Sequence, residues 1–141
     1  MIAVLLAAAA LADCGTKGAA ILIDRCRLAE SIASEPDANC AKQNTQFDLN
    51  VCSFREYLRA DIELNQAWDG IKRRLSSSRK GYTTMLAGQK AWLTYRDKQC
   101  QFWEGWYEGG SIAALVSNSC LTDITKVRSK ELGQQLKDLD H

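Results

Sequence analysis

Histidine and proline are almost absent from the sequence: the single histidine is the last residue, His141, and the single proline is Pro36. Without an internal histidine, no Ser-His or Cys-His arrangement is available for nucleophilic catalysis. The usual zinc ligand sets cannot be assembled either, because no Cys-x-x-Cys pair accompanies the missing histidines. Neither Gly-rich segment follows a strand, so no phosphate cradle is expected and no cofactor is implied. An excess of charge of one sign is also lacking. With 18 Lys and Arg against 17 Asp and Glu, the whole-chain balance suggests neither nucleic acid nor an anionic membrane as partner.

What is present begins with an apolar run, MIAVLLAAAALA, at residues 1–12. It is too short to cross a bilayer but has the composition of the core of a secretory signal, and Ala10-Leu11-Ala12 supplies a small-x-small cleavage pattern. The expectation is a leader over 1–12 and a periplasmic or secreted product. Leu11-Ala12-Asp13-Cys14 also resembles a lipoprotein cleavage site, although Asp13 stands where a small uncharged residue is usual. Lipidation of Cys14 would make the product an outer-membrane lipoprotein, and only then would a membrane be a partner. In an exported chain the six cysteines read as disulfides rather than as metal or redox groups.

Apolar residues recur at spacings of three and four, which is the period of helices. Ala19 to Ala33 places Leu22, Cys26, Ala29 and Ala33 on one stripe, a short helix ended by the turn before Cys40. A long helix follows from Thr45, whose hydroxyl can cap it with Asp48 three residues on, and its stripe runs Phe47, Val51, Phe54, Tyr57 or Leu58, Leu64, Trp68, Ile71 and Leu75. Ser76 to Gly81 breaks it. A second helix from Thr83 turns Leu86, Gln89, Leu93, Arg96, Cys100 and Trp103 inward; after Gly109-Gly110 a third, from Ser111, shows Val116, Cys120, Ile124, Val127 and Glu131. Short connections between long helices make antiparallel neighbours. The fold class is therefore all-α, a small antiparallel bundle of three main helices and a short N-terminal helix, stapled by disulfides.

Folding the second hairpin about Gly110 sets Cys100 opposite Cys120 at one height, where a disulfide can bridge them. The other four cysteines admit several pairings. Cys14 to Cys26 and Cys40 to Cys52 share one spacing, with the second member of each on a helix, so local bonds pinning the entering chain are the economical reading. Folding the first hairpin between Ser78 and Arg79 sets Asp61 opposite Arg96 and Trp68 opposite Gln89. A carboxylate–guanidinium pair between helices is expected there. Asp61, Asn65, Gln89, Arg96 and Asp97 thus read as an interhelical polar network, with a catalytic cluster the weaker alternative because no nucleophile or poised base comes with them.

QKAWLTYRDKQC at 89–100, GGSI at 109–112 and CLTDITKVRSKEL at 120–132, together with CAKQNTQFDLNVC at 40–52 and YLRADIELNQAW at 57–68, resemble the LprI family of bacterial envelope proteins. The resemblance implies a secreted or periplasmic, disulfide-bonded helical domain, often a lipoprotein, whose named member inhibits lysozyme; with no catalytic constellation in the sequence, no enzymatic activity is expected. Its motif residues fall here on Gln46, Asn50, Asp61, Asn65, Gln89, Trp92, Arg96, Asp97, Gly110, Ser111, Thr125 and Arg128. Residues 40–136 are then the family-like domain, and 13–39 an N-terminal extension carrying its own disulfide.

A strapped hairpin from Cys100 to Cys120 makes FWEGWYEGGS its tip. Phe102 and Trp103 are expected to continue the helix into the core. Trp106 and Tyr107 either cover the open end of the bundle or dock on a partner. Glu104, Trp106, Tyr107, Glu108 and Ser111 are the candidate partner-binding residues, the two acids steering toward a basic protein such as a lysozyme. A non-inhibitory envelope accessory domain that binds a protein or peptidoglycan is the alternative. Paired carboxylates at Glu104 and Glu108, as in glycoside hydrolysis, come third.

Overall fold

The protein is described here from a computed structural model covering residues 31–35, 40 and 42–140. The expected leader, the possible anchor at Cys14 and the Cys14–Cys26 bond lie outside the described residues. Helix α1 spans Gln46–Arg74, α2 spans Arg79–Trp106 and α3 spans Ala113–Leu139, and every regular element among the described residues is helical. The chain runs up, down and up. α3 packs along both of the others.

Local chemistry sets the ends. Thr45 Oγ1 accepts from the Asp48 amide at 3.1 Å and so caps α1, with the acid in the first turn and Lys72, Arg73 and Arg74 in the last, as the helix dipole favours. Ser78 Oγ accepts from the Gly81 amide at 3.3 Å, so α2 begins at Arg79 rather than at Thr83. The serine that looked like a breaker is a cap. α3 begins at Ala113, two residues later than expected, because Ser111 and Ile112 still belong to the turn.

Two disulfides brace the tip end, Cys40–Cys52 with Cα atoms 5.4 Å apart and Cys100–Cys120 with Cα atoms 5.6 Å apart. At the far end Leu64, Trp68, Ile71, Leu75 and Leu132 form the apolar core, closed on the α2 side by Tyr82, Met85, Leu86 and Trp92. Gly70 lets α3 come close there: a Cβ added to it would lie 2.7 Å from Leu136 Cδ2. Residues 31–34 are helical and lay Ala33 on Leu58, while Arg59 Nε donates to the Ala33 carbonyl at 2.8 Å.

Several side chains point elsewhere than the apolar stripes imply. Phe47 is 74% exposed, and Val127 and Glu131 of α3 face solvent. The buried face of α3 is instead Ser117, Asn118, Leu121, Thr122, Thr125 and Leu132. Small and hydroxylated side chains let α3 nest between two neighbours, and their hydrogen bonds are met inside the bundle. The Thr122 hydroxyl donates to the Asn118 carbonyl at 2.8 Å, for example. Phe102 and Trp103 also leave the core, because the Cys100–Cys120 bond turns α2 so that Cys100 faces inward and the residues after it do not.

Candidate functional site

Two assemblies hold the residues singled out from sequence, one inside the bundle and one at its tip. Inside, Arg96 has no exposure at all, and Asp61 is 2% exposed. Arg96 Nη1 donates to Asp61 Oδ1 at 3.1 Å and to Thr125 Oγ1 at 3.4 Å, and Nε donates to Asp97 Oδ1 at 3.0 Å. Asn65 Nδ2 donates to the other Asp61 oxygen at 3.4 Å. The guanidinium also lies over the rings of Trp92 at 5.2 Å and Tyr57 at 5.7 Å. Arg128 continues the chain: it lies over the same Trp92 ring at 6.0 Å, its Nε donates to Gln89 Oε1 at 3.0 Å, and its Nη1 donates to Glu131 at 2.9 Å. Gln89 therefore extends the polar network, toward α3.

Burial dominates the titration of this group. It pushes the Asp61 carboxyl up to about 6 against the lowering pull of Arg96. Burial likewise drives the Tyr57 hydroxyl far up, so it stays neutral. For Arg96 burial acts downward, but the Asp61 and Asp97 carboxylates outweigh it and hold the guanidinium above its usual range. Arg96 thus joins Asp61 of α1 and Thr125 of α3 to α2; sequence reasoning found Asp61 and Arg96 by hairpin folding and grouped Asp97 with them. Tyr57 was placed in the stripe as an apolar ring; its position four residues before Asp61 on the same helix is the signal that sets it beside the ion pair.

At the tip, α2 ends at Trp106. The Tyr107 carbonyl accepts from the Gly110 amide at 3.0 Å, with Gly109 at φ +82°, a conformation that favours glycine. The turn is fastened to α1. Asn50 Nδ2 donates to the Ser111 carbonyl at 3.1 Å, while Gln46 Nε2 donates to Asn50 Oδ1 at 3.0 Å. Asn118 Nδ2 donates to the Asn50 carbonyl at 3.3 Å and to Ser53 Oγ at 3.1 Å. Gln46, Asn50 and Ser111, motif residues without a visible role in the sequence, thus hold the tip down; Asn118 and Ser53 had no sequence signal at all.

Of the tip residues, Trp106 is 70% and Tyr107 41% exposed. Phe102 stacks edge-on to Trp103 at 5.2 Å and lies 6.0 Å from Trp106. With Phe47 and Ile112 these are, among the described residues, all of the exposed large hydrophobics except Tyr95 and Val127, and they sit at one end of the bundle. Glu108 is exposed, whereas Glu104 is half-buried and accepts from Ser117 Oγ at 3.4 Å. Among the described residues no group of His, Cys, Asp and Glu could hold a metal ion.

Fold and site together define a small, disulfide-braced helical module with an ion-paired interior and an aromatic end. Residues 37–132 match the family model described as "Lysozyme inhibitor LprI", and the chain belongs to that family, an inhibitor family and not an enzyme family. It is also similar to an uncharacterized protein of Rhizobium meliloti (strain 1021), with 28% identity over 127 residues that cover 82% of this chain and 91% of the relative. No solved structure matches the chain.

Proposed function

We propose that the chain is an exported, lysozyme-inhibitor-like binding protein that docks its braced aromatic end on the partner. The observation that carries this reading is the crowding of exposed aromatics, Phe102, Trp103, Trp106 and Tyr107, at the end stapled by both disulfides. A contiguous exposed apolar patch on a small soluble domain marks an interaction site, and rigid aromatics bind with little loss of side-chain freedom. Trp106, Tyr107 and Ser111 form the contact, with Glu108 as the free acid facing a basic partner. Glu104, engaged by Ser117, holds α2 to α3 beside the contact and adds its charge to the field. Export into an oxidising compartment fits the two bonds, and no helix among the described residues is long and apolar enough to cross a membrane.

The test is titration of a lysozyme with the oxidised protein, read as cell-wall lysis, then repeated with Trp106→Ala and Tyr107→Ala. The reading expects inhibition that weakens at least tenfold in each variant while thermal melting is kept. Inhibition that survives both substitutions removes the loop from the contact. Absence of inhibition by the unaltered protein removes lysozyme as the partner and favours an accessory binding domain of the envelope.

A further inference from the structure

The cations of this chain are unevenly placed. Lys72, Arg73, Arg74, Arg79 and Lys80 fall where α1 turns into α2, and Lys137 reaches the same end on α3. Lys72 pairs with Asp69 at 2.7 Å and Arg74 with Asp140 at 3.0 Å. Arg73, Arg79 and Lys80 are exposed and have no ion-pair partner among the described residues.

Two of these break a local rule. Arg79 and Lys80 occupy the first turn of α2, where no acid stands, although the start of a helix carries partial positive charge and repels cations. α1 follows the rule with Asp48, so the exception is confined to this end. Residues that oppose their local field without compensation are expected where function demands them. Beside them an open, largely apolar groove runs between α2 and the last turns of α3, lined by Leu75, Met85 and Leu139 with Lys80 at its edge. Asp138, the acid in its lining, accepts from Gln134 Nε2 at 2.9 Å.

Free cations on one turn, with Lys80 and the single acid Asp138 in the lining of an apolar groove, suit the surface of an anionic bilayer, whose phosphates meet the cations and whose acyl boundary takes the apolar side chains. We propose that this turn end docks on anionic phospholipid membrane. The aromatic tip then points away, separated from the surface by helices of 27–29 residues, roughly 40 Å at about 1.5 Å per residue. The proposal goes beyond the lysozyme reading and does not depend on it.

Cosedimentation of the oxidised full chain with vesicles tests it, comparing pure phosphatidylcholine with equal parts phosphatidylcholine and phosphatidylglycerol. The chain is expected to pellet with the anionic vesicles only, and to be released by high salt. Each basic residue at such a surface is worth about fivefold in binding, so the triple variant Arg73→Gln, Arg79→Gln, Lys80→Gln should lose on the order of a hundredfold. A control triple, Lys90→Gln, Lys98→Gln, Lys126→Gln, removes the same charge from exposed positions elsewhere and should lose less than about fivefold. Equal binding to both vesicles, binding to neither, or equal loss in the two triples would overturn the proposal.

Discussion

A guanidinium without solvent is costly unless every charge near it is met, and at Arg96 the partners are Asp61, Asp97 and Thr125. Removing the cation leaves a carboxylate buried alone, so Arg96→Ala is expected to lose about 3–5 kcal/mol at neutral pH, measured by denaturant unfolding. That loss should shrink in acid, because Asp61 can then take up a proton. Asp61 itself titrates near 6 in the fold against an ordinary 3.8, so between those values the folded state holds a proton that the unfolded state releases. Its contribution is therefore present in full below about pH 4 and lost as pH rises through about 6. Asp61→Asn should flatten this part of the stability profile, and an unchanged slope would place the titration on another group. The Asp61–Arg96 pairing was legible in the sequence from hairpin folding alone. Its aromatic walls, Tyr57 four residues before Asp61 and Trp92 four before Arg96, share faces with the pair by helical spacing, but only the packing of the helices brings both rings to one guanidinium.

At the scale of elements, the second hairpin is the part most plainly written in the chain. Cys100 and Cys120 are equidistant from Gly110, and the structure joins them. Replacing both by serine should cost about 3 kcal/mol through the freedom returned to the unfolded loop, visible as a lower melting temperature. The tip turn depends on one backbone conformation. Gly109→Ala places a side chain at φ +82° and should cost about 1 kcal/mol, with a matching fall in the melting midpoint. The face of α3 was read in part: Cys120 and Ile124 of the apolar stripe pack against Tyr57 and Leu121, but Val127 and Glu131 face solvent, and the helix fits between its neighbours through Ser117, Thr122 and Thr125. Trp103 was misread similarly. Helical spacing puts it on the Cys100 side, and only the cross-link decides how far that side is turned inward.

Across the whole molecule the two ends differ in chemistry. One carries aromatics held by disulfides and by the Asn50–Ser111 tie; the other carries Arg73, Arg79 and Lys80, which have no ion-pair partner among the described residues, beside an apolar groove. A nearly neutral total charge concealed this division, because a sum over the whole chain does not show where charges lie; Asp69, Asp138 and Asp140 offset only part of the positive charge at this end. The two experiments proposed above address opposite ends. Substitutions at Trp106 and Tyr107 should leave vesicle binding intact, and the Arg73, Arg79 and Lys80 triple should leave inhibition of lysozyme in solution intact. A variant of either end that abolished both readouts while melting normally would show that one surface does all the binding.

The amino-acid sequence by itself determined that the chain is helical, where its helices break, and that cysteines at matched heights can brace it, because period, capping and turn chemistry act over a few residues. Only the tertiary structure decided which face of each helix is hidden. A helix offers several faces of similar apolar content, and the choice among them falls to contacts between segments far apart in sequence: Arg96 reaching Asp61, Gly70 admitting Leu136, and Asn50 holding Ser111.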